Sequence, residues 1–99
     1  MKSLGSDEER LEGQWLYDET ERKVYSDEVC ERIRYLVEQE LERLASSPES
    51  GDWEILYRDP RDGRYWELTY PKSHMQGGGP QALYLLPAER ASVKYQVDL

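Results

Sequence analysis

Phenylalanine is absent from this sequence, and cysteine and histidine occur once each, as Cys30 and His74. A lone cysteine closes no internal disulfide, and one thiol with one imidazole makes a metal site only if carboxylates complete it. Nucleophilic catalysis needs a nucleophile and a base within reach of each other. Cys30 falls in a helical pattern and His74 in a glycine-rich loop, so neither has a partner to activate it. We expect no catalytic residue, no metal and no cofactor. Apolar runs of roughly eighteen residues are also missing, and the opening MKSLGSDEER lacks the apolar stretch of a signal peptide. With a free thiol this points to a reducing, cytoplasmic setting.

Positive charge is scarce as well: 13 Lys and Arg stand against 21 Asp and Glu, for a net charge of −8. Such a surface repels nucleic acid and anionic membrane and speeds encounter with a basic protein. The excess is −3 over residues 1–25, −3 over 26–45 and −2 over 46–99, so no detachable acidic tail carries it.

What the chain does have is tyrosine and tryptophan, eight and three respectively, whose polar handles suit the rim of a core or an interface. Ninety-nine residues make a single domain, 1–99, with little core to spare, and the polar residues 1–9 read as a flexible arm. Trp15 and Tyr17, then Val24, suggest two short strands joined by the acidic DETER loop. Ser26, followed by Asp27 and Glu28, reads as the N-cap of a long helix. Its apolar stripe is Val29, Cys30, Ile33, Leu36, Val37, Leu41 and Leu44, and it ends at Ala45 before Pro48. Cys30, on that stripe, is expected to be buried and inert.

The centre of the sequence is a hairpin. A four-residue loop, Pro60-Arg61-Asp62-Gly63, sets Tyr57 opposite Trp66, Ile55 opposite Leu68 and Trp53 opposite Tyr70, which puts all six on one face. A slip of one residue would divide them between the two faces. Proline presets the start of the loop, and Gly63 supplies a positive φ at its end. Asp59 and Arg64 are expected to form a charge pair closing the turn. The run Gly77-Gly78-Gly79-Pro80 is not followed by the helix and Lys-Ser or Lys-Thr pair of a phosphate loop, and close backbone approach to a neighbour explains it better. Residues 81–86 read as a further strand, and Pro87 opens a closing helix from Ala88 to Tyr95. The expected class is α+β: a small antiparallel sheet of three to five strands on one long helix, with a short C-terminal helix.

Several of these segments together resemble the immunity protein 27 family of bacterial polymorphic-toxin systems. They are Gly13-Gln14-Trp15, Arg32-Ile33, Gly51-Asp52-Trp53, the run YRDPRDGRYWELTYP from Tyr57 to Pro71, the glycines before Pro80, and Lys94-Tyr95. Gln81 stands where the family pattern has a second proline. The resemblance implies a non-enzymatic cytoplasmic protein that binds a cognate toxin C-terminal domain and blocks its activity. Such a protein would be monomeric when free and would bind its toxin 1:1. The acidic surface suggests that the toxin is basic, with a nuclease as the example, and not that the chain itself binds nucleic acid or membrane. Expected partner-binding residues are the polar hairpin face and tip (Glu54, Arg58, Asp59, Asp62, Tyr65 and Glu67) and the loop residues His74, Gln76, Gly77 and Gly78. Glu31, Glu38 and Glu42 form an alternative surface. Without the resemblance, a small regulatory or substrate-binding domain unrelated to toxins fits the residues too.

Overall fold

A computed structural model describes residues 2–48, 53–72 and 79–99. Among these the chain forms strands β1 (Arg10–Glu12), β2 (Trp15–Asp18) and β3 (Lys23–Ser26), then helix α1 (Glu28–Tyr35). Strands β4 (Glu42–Ser46), β5 (Ile55–Arg58), β6 (Tyr65–Thr69) and β7 (Ala82–Leu86) follow, and helix α2 (Ala88–Tyr95) closes the chain. Five strands pair in the order β1-β7-β6-β5-β4, every neighbouring pair antiparallel, while β2 and β3 make a separate two-stranded ribbon. The class is the expected α+β.

The β5–β6 hairpin has the register its pattern predicts, with Tyr57 opposite Trp66 and Ile55 opposite Leu68. Asp59 donates its N–H to the Arg64 carbonyl at 2.8 Å, and Gly63, at φ 78°, donates to the Asp59 carbonyl at 2.8 Å. Pairing with β7 extends the same alternation, because Leu85 lies opposite Trp66 and Leu83 opposite Leu68. One face of the sheet therefore presents Tyr57, Trp66, Leu68 and Leu83 to Ile33, Leu36 and Leu41, with Leu4 and Leu11 completing the cluster. Trp66, Ile33 and Leu83 are fully buried, each contributing roughly 1.5–3 kcal/mol of transfer free energy. The opposite face holds Leu56, Tyr65 and Leu86 against Ala91 and Tyr95 of α2. Trp53 meets Tyr70 edge-on, ring centroids 5.7 Å apart, but unlike the rest of that face it is 54% exposed, at the open end of the hairpin and outside the core.

The long helix is also corrected. Asp27, not Ser26, caps it, accepting the Cys30 N–H at 2.9 Å. Regular α-helix lasts eight residues, and Leu36–Glu40 forms one wider π turn closed by the Leu41 N–H on the Leu36 carbonyl at 2.8 Å. That turn keeps Leu36 and Leu41 buried while releasing the chain into β4. The competing force is the open edge of β5: Glu42–Ser46 pairs with it, with an irregularity between Arg43 and Ala45, and satisfies main-chain groups that a continued helix would leave unpaired. Leu44, a stripe residue in the helical reading, is exposed there.

Residues 2–9, expected to fray, lie against the protein with Leu4 buried. Gly79, the described member of the glycine run, has φ 77°, and a Cβ there would stand 2.3 Å from the Lys72 carbonyl oxygen, the close backbone approach its setting suggested. Gly13 is tighter still in its side-chain surroundings. It donates to the Gln81 carbonyl at 2.8 Å, and an added Cβ would meet Cys30 Sγ at 2.3 Å and Gln81 O at 2.8 Å. Gly13→Ala should therefore force β1 and α1 apart and lower stability by about 1–3 kcal/mol, read as a drop in the midpoint of thermal or urea unfolding. An unchanged midpoint would show that this contact yields freely.

Candidate partner-binding surface

The hairpin tip is held by its own charges. Asp59 is buried, and its Oδ1 accepts the Arg61 N–H at 2.9 Å. Its carboxylate also lies 3.4 Å from the Arg61 guanidinium, whereas Arg64 pairs with Asp62 at 2.6 Å. The expected Asp59–Arg64 charge pair is thus replaced. Residues opposite each other at the loop base share main-chain hydrogen bonds, and each carboxylate turns to the loop N–H two residues on.

The same two guanidinium groups also reach the N-terminal segment. Arg61 donates to the Leu4 carbonyl at 2.7 Å, and Arg64 to the carbonyls of Gly5 at 3.0 Å and Glu8 at 3.1 Å. From α1, Arg32 donates to the carbonyls of Lys2 and Ser3 and makes a two-pronged pair with Glu8 at 2.6 and 2.8 Å. Arginine suits this work because its planar fork offers several fixed donors. The Arg32 hydrogen bonds hold the Glu8 carboxyl at about 2, well below its usual 4.5, against the opposing effect of partial burial.

The second face of the hairpin, expected to meet a partner, is roofed by α2. Glu67 is buried there; it accepts the Tyr95 hydroxyl at 2.8 Å and pairs with Lys94 at 2.6 Å. Lys94 also pairs with Glu54 at 2.9 Å, and Glu54 accepts from the Thr69 hydroxyl. Burial pushes the Tyr95 hydroxyl far above the usual phenol value, and Glu67 pushes it further. For Lys94, burial acts downward, but Glu67 and Glu54 outweigh it and its pKa rises. Tyr65 packs into the same apolar cluster as Leu56, Ala91 and Tyr95. Of the expected hairpin residues, then, Asp59 and Glu67 are buried, Glu54, Arg58 and Tyr65 are half-covered, and Asp62 is exposed; Arg58 lies beside Glu42 at 3.7 Å. Glu31 and Glu38 are exposed on the helix. His74, Gln76, Gly77 and Gly78 lie outside the described residues.

Sequence reasoning missed a different surface. On the β2–β3 ribbon, Leu16 faces across to Tyr25 and Tyr17 to Val24, and all four are exposed: 38%, 47%, 60% and 58% respectively. Adjacent cross-strand pairs in a ribbon point to opposite faces, so both faces are apolar. The signal was available, since a two-stranded sheet has no second layer to cover either side. A shallow cleft of about 650 Å³ lies elsewhere, lined by Arg10, Arg64, Tyr65, Tyr84 and Leu86 among others. Cys30 is buried, and burial first, then Asp27, raises its thiol pKa. Among the described residues no group of three or more His, Cys, Asp or Glu side chains could hold a metal ion, and no helix is long and apolar enough to cross a membrane.

A family model described as immunity protein 27 matches residues 19–87, from the ribbon turn to the start of α2. No curated protein and no solved structure matches.

The Glu8–Arg32 pair has a pH signature. Because the folded carboxyl titrates near 2 instead of 4.5, its stabilisation is present above about 4.5 and is lost as the pH falls toward 2. Allowing for solvent screening, Glu8→Gln should lower stability by about 1–2 kcal/mol at neutral pH. In urea unfolding the gap between variant and parent should close in acid, and a gap independent of pH would contradict the assignment.

Proposed function

This chain belongs to the immunity protein 27 family, and we propose that it binds the toxin domain encoded beside it and neutralises it by covering the toxin's active site. The family match, which spans residues 19–87, is the observation that carries this reading. The net charge of −8 supports a basic toxin, of which a nuclease is the plainest example, since an enzyme that grips a polyanion presents cationic surface to an acidic inhibitor. Inhibition in this reading is by binding alone, in the cytoplasm, as a 1:1 complex. The acidic residues nearest one another on the hairpin, Glu54, Asp59, Asp62 and Glu67, each face a cation, which suits structural work better than proton transfer.

Co-expression with the C-terminal domain of the adjacent toxin should restore growth to cells that the toxin alone kills, and continued killing would contradict the proposal. With the purified pair, charge steering predicts an association rate that falls about tenfold or more between low and physiological salt, while dissociation changes little. A flat salt response would remove electrostatics from the account and leave neutralisation in place.

A further inference from the structure

We infer that the β2–β3 ribbon is the element that enters the toxin, lodging Leu16, Tyr17, Val24 and Tyr25 in an apolar recess whose rim is lysine- and arginine-rich. This assignment rests on the neutralisation reading above and names the surface that performs it.

The first reason is exposure that nothing among the described residues explains. Two-stranded ribbons are marginal on their own, and side chains on one face usually gain stability by packing on a second layer. Here Tyr17 and Val24 on one face and Leu16 and Tyr25 on the other remain open to solvent. Exposed apolar side chains gathered on one small element, unlike ones scattered singly over a surface, mark interaction sites. Apolar side chains on both faces suit insertion into a recess better than docking on a flat surface. Tyrosine at two of the four positions adds large, rigid contact area with few torsions to freeze.

The second reason is preorganisation. Asp18 Oδ1 accepts the N–H groups of Thr20 at 2.9 Å and Glu21 at 3.3 Å, and Lys23 pairs with Glu21 at 2.9 Å. Arg22 completes the turn at φ 54°. At the base, the Asp27 N–H bonds the Gln14 carbonyl at 3.0 Å, anchoring the ribbon to the start of α1. A ribbon fixed at both ends loses less conformational entropy on binding.

The third reason is charge, which selects the occupant. Residues 12–31, the ribbon with the segments leading into and out of it, carry seven acidic residues (Glu12, Asp18, Glu19, Glu21, Asp27, Glu28 and Glu31) against two basic ones, Arg22 and Lys23. Their net charge of −5 is most of the chain's −8. A second copy of this chain would bring like charge to like, whereas a basic domain would pair with it.

The test uses the full chain and the purified C-terminal domain of the adjacent toxin, inactivated in its active site, with affinity measured by calorimetry or biolayer interferometry. Tyr17→Ala with Val24→Ala, and separately Leu16→Ala with Tyr25→Ala, should each weaken binding by about tenfold or more while leaving the circular dichroism spectrum of the body intact. Glu19→Lys with Glu21→Lys leaves the apolar groups untouched and should slow association by about tenfold at low salt. If the parent binds and both alanine pairs bind within about threefold of it, the ribbon assignment is wrong and the neutralisation reading stands. If the parent binds no adjacent toxin, both fall. Sedimentation showing a dimer that Tyr17→Ala with Val24→Ala dissolves would make the ribbon a self-association surface and overturn the assignment.

Discussion

One pairing, Tyr57 opposite Trp66, fixes most of this structure. Because side chains alternate along a strand, that register decides at once which residues form the main core and which form the second face. The first set, with Leu68 and Leu83, makes an apolar floor for Ile33 and Leu36. The second set, Leu56, Tyr65 and Glu67, is neither wholly apolar nor wholly polar, and it can be buried only if something meets the Glu67 carboxylate. Helix α2 does both jobs, bringing Ala91 and Tyr95 for the apolar part and Lys94 with the Tyr95 hydroxyl for the charge.

Most charged residues of the hairpin are therefore occupied inside the protein. Asp59 folds the tip, Arg61 and Arg64 hold the carbonyls of the N-terminal segment, and Glu67 anchors the C-terminal helix. Both ends of the chain are tied to one hairpin. A scaffold built in this way can keep its hairpin constant while other surfaces change, in line with the general separation of fold from function. The ribbon, which packs into neither core cluster, is free to vary without disturbing either face of the sheet.

Much of this was legible in the residues. The hairpin register, its turn, the two ribbon strands and the bounds of α2 follow from alternation, turn chemistry and proline placement. The helix failed because the stripe through Leu41 and Leu44 obeys helical spacing while the edge of β5 needs a partner, and periodicity alone carries no information about a distant strand. The burial of the second hairpin face was hidden for a related reason. Glu54, Tyr65 and Glu67 look solvent-facing in a single hairpin, and only the placement of Ala91 and Tyr95 four residues apart on α2 hinted that the face would be covered. The N-terminal segment gave no signal at all, since what holds it is a set of arginine bonds to main-chain carbonyls, which any sequence could accept.

The central claim is that the polar groups of the hairpin hold the fold, which in the proposed complex leaves the toxin to other surfaces. Glu67→Gln tests it most directly, because it removes the charge facing Lys94 while preserving shape. The account predicts a free protein less stable by about 1–3 kcal/mol and, below its unfolding temperature, an affinity for the toxin domain within about threefold of the parent. Unchanged stability together with lost affinity would place Glu67 in the interface and contradict it.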